Sequence, residues 1–251
     1  MRGVVGALEI AAGVGVLAGA ALQSATGFGF ALCAAPLIFA AAEPEEAVAL
    51  LILLGLIVNG MTLGTEGRRP QPLVRDSVVI LAWGVPGVAA GVVLLHALGA
   101  TALQISVTIG VLATLAVRAF ARRRGAHGPG DPPAWAAPVA GFSSGALTTS
   151  TNTSGPPVVL YSLARGASPV QTRDTLTVTF IGFALLGLAA LVLGGSDAPH
   201  LAAFAALAPA AVIGHVLGRP VFARIAADRY ETVLTAVLLA SALAGLLTAL
   251  L

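Results

Sequence analysis

Charge is scarce in this chain. Asp, Glu, Lys and Arg make up 10% of its 251 residues, against about 25% in a soluble globular domain. Lysine is absent, and all 13 basic residues are Arg. With no long polar segment either, a soluble domain of useful size is excluded. The single cysteine, Cys33, excludes an intrachain disulfide and any Cys-rich metal site, which leaves it the ordinary role of a small apolar residue. Metal-ligand clusters, catalytic triads and phosphate-binding glycine loops are all missing, so nothing supports an enzyme, and no cofactor or metal is implied. The pI near 9.3 reports basic membrane flanks rather than nucleic-acid binding. The N-terminus lacks the basic n-region and polar gap of a cleaved signal peptide, so the chain is read as mature from Met1.

What the chain has instead is apolar surface: 57% hydrophobic residues and a mean hydropathy of +0.96. These values predict an all-α polytopic membrane protein whose first partner is the lipid bilayer, since helices satisfy their own backbone in lipid. Apolar helices or helix arms are expected over 4–22, 30–42, 47–63, 77–98, 101–120, 134–147, 156–163, 176–193, 201–217 and 232–251. Pro44 followed by Glu45 and Glu46 suits a helix start.

Two polar stretches interrupt this pattern. One is Thr148-Thr149-Ser150-Thr151-Asn152-Thr153-Ser154-Gly155-Pro156-Pro157, and the other is Gln23-Ser24-Ala25-Thr26-Gly27-Phe28-Gly29. Consecutive hydroxyl and amide side chains are costly at membrane depth unless they face protein, water or a ligand. Both stretches are therefore read as helix breaks, and broken helices line substrate sites in transporters. A helix restarting at mid-depth presents unpaired N–H groups and partial positive charge, which suits an anion. The expected substrate-binding residues are Gln23, Ser24, Thr26, Gly27 and Gly29 from the first break, with Ser150, Thr151, Asn152, Thr153, Ser154 and Gly155 from the second. The bland alternative is that these groups satisfy one another and the broken backbone. His215, inside an apolar span, is a candidate proton relay or an interhelical hydrogen-bonder. Arg219 reads as a snorkelling cation, and Asn59 and Gln104 as interhelical hydrogen-bonders.

The chain carries one pattern twice. Gly15-xxx-Gly19 with Ser24 and Gly29 precedes Gly141-xxx-Gly145 with Ser150 and Gly155 by 126 positions, and Gly87-xxx-Gly91 precedes Gly214-xxx-Gly218 by 127. Such spacing also serves close helix packing. If each broken segment crossed the membrane once, the arginines would split eight to five between the two sides. If each is a hairpin returning to its own side, they split twelve to one. The positive-inside rule selects the second arrangement. It gives two inverted-topology repeats, residues 1–121 and 134–251, each a broken helical hairpin plus three transmembrane helices, joined by a cytoplasmic linker at 122–133. Whether each hairpin is re-entrant or two short spans stays open at this level.

Gly15-xxx-Gly19 leading to Gly27-Phe28-Gly29 and Pro36-Leu37, with Gly141-xxx-Gly145 leading to Gly155-Pro156-Pro157-Val158-Val159-Leu160-Tyr161, resembles the sulfite exporter TauE/SafE family over nearly the whole chain. The second break departs from the usual glycine-rich form. The resemblance implies a transporter of small sulfur-containing anions such as sulfite and organosulfonates. The reading is thus a secondary transporter in the cell inner membrane. It would bind a small anionic substrate between the two hairpins near the bilayer midplane, with a proton or sodium ion as coupling partner. A passive anion channel is the alternative.

Overall fold

A computed structural model describes residues 2–98, 132–196, 201–225, 228–237 and 239, with side chains from Glu9 onward. The expected helix at 101–120 with Gln104, most of the linker and most of the last span lie outside the described residues. Among those described there is no strand. The helices are α1 (Arg2–Thr26), α2 (Phe30–Phe39), α3 (Pro44–Thr65), α4 (Val74–Ala97), α5 (Ala136–Thr151), α6 (Gly155–Ala164), α7 (Pro169–Leu193) and α8 (Leu201–Arg224). Residues 228–237 are also helical. By length and composition, α1, α3, α4, α7 and α8 can each cross a bilayer. The shorter α2 and α6 have 10 residues each, about 15 Å of helix, half of a roughly 30 Å hydrocarbon core. Each hairpin therefore pairs a longer arm with a half-length return arm.

Local chemistry sets the helix ends. Pro44 occupies the first turn of α3 with Glu45 and Glu46 behind it, as expected from the sequence. At α7, Ser168 accepts from the Gln171 N–H at 3.2 Å and the Gln171 side chain accepts from the Ser168 N–H at 3.1 Å. This capping box starts the helix at Pro169, seven residues before the expected boundary, so the polar stretch Gln171-Thr172-Arg173-Asp174 is helical. Charged residues inside that first turn and a half are buried rather than presented to water.

Packing interlocks the two halves. The most extensive helix pairs are α4 with α5 and α1 with α8, and each joins one helix of the first half to one of the second. Glycine permits the close approach: a Cβ on Gly87 would meet the Phe142 carbonyl oxygen, and one on Gly214 the Leu17 carbonyl oxygen. Two apolar cores follow. One gathers α1, α2 and α3 around Phe30, Ile38 and Leu51, joined by Leu95 of α4, Ala184 and Leu191 of α7 and Ala211 of α8, and the other gathers α4, α5, α6 and α7 around Phe28, Val158 and Phe183, joined by Tyr230 and Leu234. Each core thus draws on long helices from both halves, which is consistent with two inverted repeats. The glycine pairs are not used identically. Gly15 and Gly19 face α2, whereas Gly141 and Gly145 face α4.

Among the described residues, Arg68, Arg165, Arg173 and Arg219 gather at one end. Arg68 makes paired hydrogen bonds of 2.6 and 2.8 Å to Asp174, Arg165 reaches Asp76 at 3.1 Å, and Arg219 donates to the Thr65 carbonyl. If the broken segments were single crossings, Arg68 and Asp76 would lie on the membrane face opposite Arg165, Arg173 and Arg219. The hairpin arrangement brings them together.

Candidate functional site

Both breaks are narrower than the polar stretches that announced them. In the second, the Thr148, Ser150 and Thr151 hydroxyls donate to the carbonyls of Ser144, Ala146 and Leu147 four residues back. The helix therefore runs on through the polar run, because each hydroxyl is satisfied without unwinding it. Asn152 then turns the chain with φ 55°, a left-handed conformation that Asn tolerates better than most residues. The Ser154 carbonyl accepts from the Ser144 hydroxyl at 2.8 Å. In the first break, the Thr26 hydroxyl donates to the Leu22 and Phe28 carbonyls, and Gly27 and Gly29 reverse the chain at φ 94° and 108°.

The restarting helices are finished differently. Gln23 accepts from the Phe30 N–H at 3.1 Å while its own amide donates to Asn59 at 2.8 Å. One side chain so caps α2 and ties it to α3. At α6, Pro156 and Pro157 occupy the first turn and remove two of the four N–H groups that a helix start leaves unpaired. Fewer backbone donors are available than two bare helix starts would offer, and the weight shifts to side chains. Ser154, the N-cap residue, makes no capping bond through its hydroxyl. The Asn152 amide nitrogen points towards Gly55 of α3, 3.8 Å from where a Cβ on that glycine would stand.

The tips touch. Phe28, fully buried, packs against Gly155, whose added Cβ would stand 3.1 Å from the Phe28 ring. Beside this contact lies a cavity of about 40 Å³, larger than the roughly 10–15 Å³ that one water requires. Gln23, Gly29, Asn152, Thr153, Ser154 and Gly155 line it, so six of the eleven expected residues, drawn from both breaks, are brought together. Asn59 and Thr148 add polar groups, and Phe28, Phe30, Phe180 and Phe183 form apolar walls. Ser24, Thr26, Gly27, Ser150 and Thr151 stand outside the lining. Ser150 and Thr26 are engaged by backbone, Thr151 also meets the Thr153 hydroxyl at 2.7 Å, and Gly27 packs on Arg173.

His215 is buried and bridges two hydroxyls, with Ser24 Oγ at 2.8 Å from Nδ1 and Thr65 Oγ1 at 3.3 Å from Nε2. It links α8 to α1 and α3 behind the first break. Asn59 is the interhelical hydrogen-bonder it was expected to be. Cys33 is half-buried and unpaired.

The family model of the sulfite exporters TauE/SafE matches residues 11–245. The chain belongs to the TauE/SafE family. No curated protein and no solved structure matches it. Membership in this transporter family, with five helices among the described residues long and apolar enough to cross a bilayer, makes the chain a multi-pass membrane protein of a sulfite and anion export family.

Sequence reasoning missed the most buried charge among the described residues of this TauE/SafE chain. Arg173 is 1% exposed. It pairs with Glu66, donates to the Ser24 carbonyl at 2.9 Å and lies 4.1 Å from the centre of the Phe222 ring. Glu66 also meets Arg68 at 2.5 Å. The Arg68 guanidinium is held above its ordinary pKa by the hydrogen bond with Asp174, so it stays charged. The signal was present as Ser168-Pro169-Val170-Gln171, a capping box. It places Arg173 inside a helix and not on a loop.

Proposed function

We propose that the chain is a secondary transporter that carries a small anion, sulfite or an organosulfonate, across the inner membrane. In this reading the anion occupies the cavity between the two hairpin tips near the bilayer midplane. The carrying observation is that the two breaks, 123 residues apart between Gly29 and Asn152, border a single cavity. The half-length return arms support a mid-depth position, since about 15 Å of helix reaches halfway through the hydrocarbon. The Asn152 amide and Ser154 hydroxyl act as principal donors, Gln23 and Asn59 fix the opposite wall, and the phenylalanines exclude water. A passive channel needs a continuous wet pore, and the Phe28 contact on Gly155 favours a closed, alternating device. A proton or sodium gradient drives it, and His215, between Ser24 and Thr65, is the candidate proton relay.

The test is binding and counterflow in proteoliposomes with sulfite and methanesulfonate. Hydrogen bonds to a charged partner contribute about 1.5–3 kcal/mol each. Asn152→Ala and Ser154→Ala should therefore each weaken affinity by roughly tenfold to a hundredfold, while both variants remain folded and inserted. Folded variants with wild-type affinity would remove the cavity from the mechanism. Flux without counterflow would favour the channel.

A further inference from the structure

Behind the first break, outside the lining of the cavity, Arg173 is buried with donor capacity to spare. Glu66 and the Ser24 carbonyl engage its two Nη groups, whereas Nε has no hydrogen-bond partner although it is buried. A guanidinium carries five N–H donors in a planar fork suited to oxyanions. Only the turn from Ser24 to Gly27 separates this group from the cavity. Ser24 supplies its carbonyl to Arg173, Gly27 packs on the Arg173 side chain, and the neighbouring Gln23, Phe28 and Gly29 line the cavity.

The surrounding charges do not balance. Arg173, Arg68 and Arg219 face Glu66 and Asp174, with Glu66 shared by Arg173 and Arg68, Asp174 taken by Arg68 and the Gln71 N–H, and Arg219 donating to a carbonyl. Within this network one positive charge is left over, and a monoanion would neutralise it. The charges around Arg173 become more exposed away from it: Arg68, which shares Glu66 with Arg173, is partly exposed, and Arg219, on the Thr65 carbonyl next to Glu66, is exposed.

We propose that Arg173 is a second anion station on the transport path, at the arginine-rich end of the molecule. Glu66 occupies it when the path is empty, and the travelling oxyanion replaces the Glu66 carboxylate on Arg173. The exchange leaves no carboxylate stranded, because Glu66 keeps its contact with Arg68. Phe222 covers one face of the guanidinium and confines the incoming oxyanion to the edge. This rests on the anion-transport reading above and extends it to a site outside the cavity.

Glu66→Gln keeps the shape of the side chain and removes the competing charge. Sulfite binding to this purified variant should tighten about tenfold, while Arg173→Gln should lose transport and Arg173→Lys should keep part of it. A merely structural ion pair predicts the reverse for Glu66→Gln, which would then weaken binding or leave it unchanged. A folded Glu66→Gln protein with weaker or unchanged affinity overturns the station, and so does normal transport by a folded Arg173→Gln or an inactive Arg173→Lys. If those results accompany a loss of affinity in Asn152→Ala, the cavity reading stands without the station. A wild-type protein that binds neither sulfite nor methanesulfonate overturns both.

Discussion

Gln23 illustrates how one side chain sets the geometry of a membrane-depth turn. A helix that restarts away from water has no solvent to satisfy its first N–H groups, and each unsatisfied group costs several kcal/mol in hydrocarbon. Gln23 gives its carbonyl oxygen to the Phe30 N–H and its amide to Asn59. Glycine on both flanks of Phe28, with φ 94° and 108°, lets the chain reverse tightly enough for that reach. Gln23→Ala should orphan the Phe30 N–H and the Asn59 side chain together. The Asn59 bond alone resembles interhelical hydrogen bonds that average about 0.6 kcal/mol. An unpaired buried donor costs about 1–3 kcal/mol, so the cap dominates. The expected loss is about 2 kcal/mol, read as a lowered unfolding temperature in detergent. An unchanged unfolding temperature would mean that water or a rearranged backbone replaces the cap.

At the scale of elements, the sequence made the breaks visible but not their width. Glycine at 27 and 29 and the Gly155-Pro156-Pro157 start marked where the helices stop and resume, and those signals held. The hydroxyl-rich stretch before Asn152 misled about extent, because Thr and Ser satisfy themselves on carbonyls four residues back and leave the helix intact. Composition cannot distinguish a hydroxyl bonded to its own helix from one offered to a ligand. Arg173 was illegible for a related reason: an apolar window cannot show that a charged residue lies in the first turns of a capped helix facing inward. The glycines are more legible. In α4, a Cβ on Gly87 would meet the Phe142 carbonyl oxygen of α5, whereas in α3 a Cβ on Gly60 would meet nothing within 4 Å. Gly87→Ala should therefore destabilise by about 1–3 kcal/mol through overpacking, while Gly60→Ala should gain up to about 1 kcal/mol from helix propensity. Unfolding measured on the two purified variants checks the opposite signs. Equal effects would show that α4 and α5 are not in close contact in the membrane.

At the scale of the whole molecule, charge is sorted by end. Arg68, Arg165, Arg173 and Arg219 cluster with Glu66, Asp76 and Asp174 at one end. At the other, His96 lies 3.4 Å from Glu45, beside a helix start that carries three glutamates and no arginine. Arginine-rich loops stay on the cytoplasmic side, so the arginine end should face the cytoplasm and the Glu43 to Glu46 turn the opposite side. This orientation makes a discriminating prediction for three exposed positions, Ala41, Arg69 and Ala164, each replaced by cysteine in a Cys33→Ser background. With returning hairpins, Arg69→Cys and Ala164→Cys react with a membrane-impermeant thiol reagent from the cytoplasmic side only, and Ala41→Cys from the other side only. If broken segments crossed once, Ala41→Cys and Ala164→Cys would react together and Arg69→Cys alone. The position of Ala164 therefore decides the topology. Labelling of Ala164→Cys on the same side as Ala41→Cys would separate Arg165 from Asp76, part the two hairpin tips, and leave the anion no cavity to occupy.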